Sequence, residues 1–152
     1  MSSEISHPAV RRPIPEVDEL SREFWEGAAN GLLVIQRCTA CRRFHHPPQS
    51  FCTDCGETKQ TYVPVSGEAR LWSWTVTHHK IVAGLIDAIP YICLVVELVE
   101  QPRLFLMSDF IGENIPLEQF KVGCAMRVIF EPVSEGGIVL PQFRPAPVVT
   151  AS

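Results

Sequence analysis

Apolar residues recur along this chain with two different periods, and the change of period divides it. Val17, Leu20, Phe24, Trp25 and Ala28 fall three and four residues apart, the spacing of one helix face, and Asn30-Gly31 follows as a left-handed stop. A short helix is predicted over about 16–30, and Leu32 to Arg37 reads as a strand leading into the first cysteine. After Pro64 and Gly67 the period becomes two. Trp72, Trp74, Val76 and His78 then share one strand face, with Leu71, Ser73, Thr75 and Thr77 on the other. Both tryptophans are expected in the core. Tyr91–Glu100, Arg103–Asp109, Val122–Pro132 and Ile138–Phe143 are four further apolar or alternating runs, separated by proline and glycine breakers. Five strands in about 80 residues predict a small closed or nearly closed barrel, since closure removes exposed sheet edges. Leu117–Phe120 is expected as a helical turn between strands.

Composition narrows this mainly-β reading. A length of 152 residues fits one modest domain or a domain with an appendage. The 13 prolines argue against an all-helical fold. With 13 basic against 17 acidic residues the net charge is −4, so no basic footprint exists for a phosphate backbone. Met1–Val10 carries Glu4 and His7 and lacks the apolar run of a secretory signal. Ile81–Val99 is interrupted by Asp87, Pro90 and Glu97, short of the roughly 20 unbroken apolar residues of a membrane helix. A cytoplasmic protein that neither enters a membrane nor binds nucleic acid is expected. The chain divides into a flexible arm (1–15), a helix and strand (16–37), a cysteine segment (38–60), the barrel (61–146) and a loose tail (147–152).

The cysteine segment holds almost no aliphatic residues, so it lacks a core of its own. It contains the strongest chemical signal: Cys38-x-x-Cys41 and, ten residues later, Cys52-x-x-Cys55. Each pair brings two sulfurs to one tight turn, and two such turns complete a tetrahedron of thiolates around Zn²⁺. Four sulfurs leave no open position for water, which makes the site structural. The filled site would add a net −2 to an already acidic chain. Iron in a tetrathiolate and a redox dithiol are the rival readings, although a thioredoxin-type dithiol would sit as a single pair at a helix N-terminus.

Other candidates have plainer readings. Cys93 and Cys124 sit in apolar strands, where small buried residues are expected. His45-His46 reads as loop surface, and His78-His79 as polar residues at a strand end, with no nucleophile of recognisable signature to serve. Phe24 and Trp25 are candidate partner-binding residues, because a short helix beside a core-poor segment has little to bury them in.

Phe24-Trp25-Glu26-Gly27, Gly31-Leu32-Leu33, Gln36-Arg37-Cys38-x-x-Cys41, Pro47-Pro48, Cys52-x-x-Cys55-Gly56, Ser66-Gly67, Trp74-Thr75-Val76, Pro90-Tyr91, Val96-Glu97-Leu98, Gly123 and Phe143-Arg144-Pro145 follow one another in a familiar order. The chain resembles, from about residue 24 to 145, the zinc-ribbon plus OB-fold proteins catalogued as number thirty-five among domains of unknown function. Arg42 departs from that pattern, standing where members often carry glycine, and Gln101-Pro102-Arg103 replaces a glycine-proline. The resemblance implies an N-terminal helix, a rubredoxin-like zinc ribbon and a five-stranded OB-fold barrel. It also implies an accessory subunit, without catalytic residues of its own, that binds acyl-CoA or bridges subunits of a thiolase-like or acyl-CoA hydratase complex. The alternative is an OB-fold module for single-stranded nucleic acid, and a further one is an enzyme using His78 or His79.

Overall fold

The computed structural model describes residues 12–111, 117–133 and 137–147. Its helix α1 runs Arg22–Ala29. It starts later than the periodicity predicts because a side-chain turn precedes it: Asp18 Oδ1 accepts hydrogen bonds from Ser21 N at 2.7 Å and Ser21 Oγ at 2.6 Å. That turn satisfies backbone groups outside the helix and competes with another helical turn. Phe24 and Ala28 form the buried stripe.

Two antiparallel sheets follow. In the first, β1 (Val34–Cys38) lies between β2 (Phe44–His45) and β3 (Gln60–Pro64). The strand assigned by sequence to a module with the helix is thus the centre of the cysteine-bearing sheet. Its buried residues explain why: Val34, Ile35, Gln36 and Cys38 need cover on both sides. The second sheet comprises β4 (Glu68–Thr77), β5 (Tyr91–Leu98), β6 (Phe105–Phe110), β7 (Ala125–Pro132) and β8 (Val139–Pro145), ordered β6-β5-β4-β7-β8. β5 alternates as a strand with one buried face should, with Ile92, Leu94, Val96 and Leu98 inside. A 3-10 turn at Leu117–Gln119 lies where the helical turn was expected.

The barrel closes at its seam through side chains. Ser108 Oγ on β6 donates to Gln142 Oε1 on β8 at 2.6 Å and accepts from Phe143 N at 2.9 Å. Asp109 N donates to the same Gln142 oxygen at 3.1 Å. These bonds satisfy edge groups that a ladder would otherwise have to pair.

One expectation fails at Trp72. A β-bulge shifts the β4–β5 register between Leu71 and Ser73. Upstream of it Ala69 and Leu71 point inward, and downstream the half-buried Trp74 and Val76 do so. The extra residue inverts the alternation, so Trp72 points outward, 53% exposed, 5.0 Å from the Phe105 ring.

The two sheets share one core, in which Phe24, Leu33 and Ile35 continue into Leu71, Leu94, Met126 and Phe143. Polar ties reinforce it. Gln101 grips the β2 backbone with both ends of its amide, accepting from Phe44 N at 2.9 Å and donating to Phe44 O at 3.1 Å. Glu100 Oε1 accepts from Ser66 N and Oγ in the connection between the sheets. Arg12, in the stretch read as a flexible arm, is almost fully buried and bridges Asp109 on β6 and Glu131 on β7. Residues 1–11, 112–116, 134–136 and 148–152 lie outside the described residues; among the described residues no helix is long and apolar enough to cross a membrane.

Candidate metal centre and adjoining groove

The two C-x-x-C turns are built alike. Arg42 N donates to Cys38 O at 3.1 Å and Gly56 N to Cys52 O at 2.9 Å. Cys38 N in turn donates to Arg43 O at 2.9 Å, and Cys52 N to Glu57 O at 2.8 Å. Both turns pass through a left-handed residue, Arg42 with φ 68° and Gly56 with φ 79°. The glycine expected at position 42 is therefore a conformational requirement, which the arginine meets at a cost.

The turns bring Cys38, Cys41, Cys52 and Cys55 together, with all four sulfurs within 4.8 Å of one another. Across the two knuckles Cys38 Sγ lies 3.6 Å from Cys55 Sγ, and Cys41 Sγ 3.5 Å from Cys52 Sγ. Four sulfurs at about 2.3 Å from one ion would stand about 3.8 Å apart, so the cluster fits a tetrahedral Zn²⁺ site. Cys38 and Cys52 are buried, while Cys41 and Cys55 face solvent. In the metal-free chain the thiols compete for protons. Desolvation opposes a thiolate at Cys38, but the N–H groups of Cys41 and Ala40 and the neighbouring thiols bring its pKa down to about 6. At Cys41 the Arg43 N–H favours the thiolate, yet desolvation and the surrounding thiols push the pKa up to about 12. An arriving ion displaces the remaining protons, and its binding free energy becomes folding free energy for the segment.

The two histidines beside this cluster are not loop surface. His45, on β2, is buried, with Nε2 3.2 Å from Cys52 Sγ. His46 packs against Phe24 at 5.1 Å, and burial pushes its pKa down to about 4. The only signal for either in the sequence was their place before Pro47-Pro48, which does not separate surface from interior.

His46, Pro47 and Pro48 form one wall of a groove of about 530 Å³ that runs between α1, the cysteine-bearing sheet and the barrel seam. Phe24 and Trp25 line it, edge to face at 4.9 Å. Phe24 is buried against the barrel core and Trp25 is half-buried beside it. Tyr91, Leu106 and Leu140 add apolar surface, and the charged lining residues are Glu16 and Asp109. Cys93 also lines the groove and Cys124 lies by the turn before β7, both half-buried and so less enclosed than the apolar strand pattern predicts. His78 and His79 stand exposed beyond the end of β4, outside the groove lining.

Fold and site together define a zinc ribbon joined to an OB-fold. Two family models agree: the rubredoxin-like zinc ribbon domain of ChsH2 matches residues 25–59, and the C-terminal OB-fold domain of ChsH2 matches residues 62–131. The chain belongs to this ChsH2-type family. It is 32% identical over 140 residues to a probable enoyl-CoA hydratase alpha subunit of Thermomonospora curvata, covering 91% of this chain but 41% of that relative. Among solved structures it resembles a chain of the Ltp2-ChsH2(DUF35) aldolase, with a TM-score of 0.73, 29% identity, and coverage of 87% of this chain and 98% of that one. A DUF35-family protein of unknown function from Sulfolobus solfataricus shares the fold, with a TM-score of 0.53 and 21% identity over 73% of this chain and 78% of that one.

Proposed function

We propose that this protein is an accessory subunit, without catalytic residues of its own, that docks on a thiolase-like or acyl-CoA hydratase partner in the cytosol and helps to hold its thioester substrate. The observation that carries this reading is the likeness to nearly the whole of a ChsH2-type chain found in an aldolase assembly. The hydratase-subunit relative points the same way. The groove suggests which part of a thioester it receives. Its walls are apolar, and of its two carboxylates Asp109 is already paired with Arg12, which leaves Glu16 as the free charge and no cation in the lining. The groove therefore fits the acyl portion better than the nucleotide phosphates of coenzyme A. Those phosphates then fall to the partner. Phe24 and Trp25 form the rim that the partner and the acyl chain share, with Phe24 anchoring the helix and Trp25 making the contact.

Co-expression with a thiolase-like or hydratase subunit encoded beside it, followed by size-exclusion chromatography, is expected to yield a stable complex that binds acyl-CoA more tightly than either part. Trp25→Ala is expected to weaken assembly by about tenfold, the scale of an aromatic contact residue. A chain that elutes alone from every such partner, and adds nothing to thioester binding, overturns the proposal.

A further inference from the structure

His45 is fixed from two directions. Its backbone pairs with Gln36 in the β1–β2 register, and its ring is buried at 8% exposure against Cys52, which is 0% exposed. The 3.2 Å contact between Nε2 and Cys52 Sγ is therefore buried. The imidazole stands beside the four-sulfur cluster without belonging to it. It does form a smaller group with Cys52 and Asp54, all within 4.8 Å. That group makes a poor second ion site, because Arg43 Nε already holds the Asp54 carboxylate at 3.1 Å and Cys52 would have to serve two ions.

The chemistry of the loaded centre decides how the ring must be protonated. A metal-bound cysteine sulfur is a thiolate and only accepts hydrogen bonds, so the imidazole nitrogen facing it must carry the hydrogen. Four thiolates around one divalent ion hold an excess of two negative charges. At the exposed Cys41 and Cys55 water offsets that excess, but at buried Cys52 it cannot. A donated N–H draws off part of the charge on the sulfur and fixes its direction, as hydrogen bonds to metal ligands generally do.

We infer that His45 is a positioning residue of the metal centre: its Nε2–H donates to the Cys52 thiolate, holding this buried ligand in place and lowering its reactivity. The inference rests on the ribbon alone and stands whether or not the chain assembles with an acyl-CoA enzyme.

Two variants of the full chain separate the N–H from the ring that bears it. His45→Phe keeps a planar ring and removes the donor, while His45→Gln keeps an N–H at comparable reach. Zinc transfer to a chromophoric chelator is expected to run about tenfold faster in His45→Phe and close to the parent rate in His45→Gln. In the cobalt-loaded proteins, the sulfur-to-cobalt charge-transfer band is expected to shift to lower energy in His45→Phe and return in His45→Gln. Parent-like release and an unshifted band in His45→Phe overturn the inference, since the ring would then act by packing alone, as does equally fast release in both variants, since an N–H at that reach would then not hold the ligand. Loss of tetrahedral cobalt absorption in His45→Phe overturns it too, since His45 would then be a ligand. The parent protein gives a test independent of variant folding. Loaded with cadmium-113, it is expected to show His45 protonated at Nε2 with scalar coupling to the metal across the hydrogen bond, and an unprotonated Nε2 refutes the assignment.

Discussion

Arg42 and Gly56 occupy the same place in two matching turns, and only one is a glycine. A left-handed arginine costs roughly 1–2 kcal/mol, of which a glycine returns part through its greater freedom when unfolded. Arg42→Gly is therefore expected to stabilise the metal-loaded protein by about 0.5–1 kcal/mol, read as a higher denaturation midpoint with an unchanged slope. His46 makes a second prediction at this scale. Burial holds its folded pKa at about 4, below the usual histidine value, so between these limits the unfolded chain binds more protons. Its contribution is complete above the unfolded pKa and is lost as pH falls towards the folded one. From about pH 7 to about pH 5.5 the parent is expected to lose about 1 kcal/mol more than His46→Gln does, measured by urea unfolding. Equal pH profiles for the two proteins would place His46 in solvent.

Among the elements, the β4 bulge and the joints between sheets carry the information that periodicity lacks. Strict alternation put Trp72 and Trp74 on one face, yet a single inserted residue sends Trp72 outward while Trp74 stays in. No local feature of Leu71-Trp72-Ser73-Trp74 marks the bulge, because it is the pairing with β5 that defines it. Gly67 marks the neighbouring joint. It has φ 77°, and a Cβ there would collide with Val128 Cγ1. Gly67→Ala is expected to destabilise the protein by about 2–4 kcal/mol, combining backbone strain with overpacking. The Gln101 clamp gives a milder case. Gln101→Ala should cost about 1–2 kcal/mol and speed hydrogen exchange at the Phe44 amide ahead of the barrel amides.

For the whole molecule, the shared core and the metal centre divide the task of holding the chain together. Phe24, Leu33 and Ile35 belong to the barrel core, whereas the turns from Cys38 to Gln60 have little apolar material beyond the sulfurs. Removing the metal with a chelator is expected to abolish exchange protection across these turns while β4 to β8 keep theirs. Uniform unfolding would show that barrel and ribbon stand or fall together. Arg12 lies at the same scale, tying the N-terminal stretch to β6 and β7 over 97 and 119 residues of sequence separation. Proline spacing read that stretch as a loose arm, because the partners of one arginine are invisible until the barrel brings Asp109 and Glu131 together.

The sequence by itself determined the four clustered cysteines, the helix, the strand before Cys38 and the five barrel strands, but not β2 or β3. Each feature it determined is written in spacing over a few neighbouring positions: two residues between paired cysteines, three to four along a helix, two along a strand. Tertiary structure alone decided that the strand before Cys38 is the centre of the ribbon sheet, that Trp72 leaves the core, that His45 meets a metal ligand and that a groove opens beside Phe24 and Trp25. Each of these depends on residues distant in the chain becoming neighbours, and the free energy that selects them comes from shared burial across elements, which no local pattern encodes.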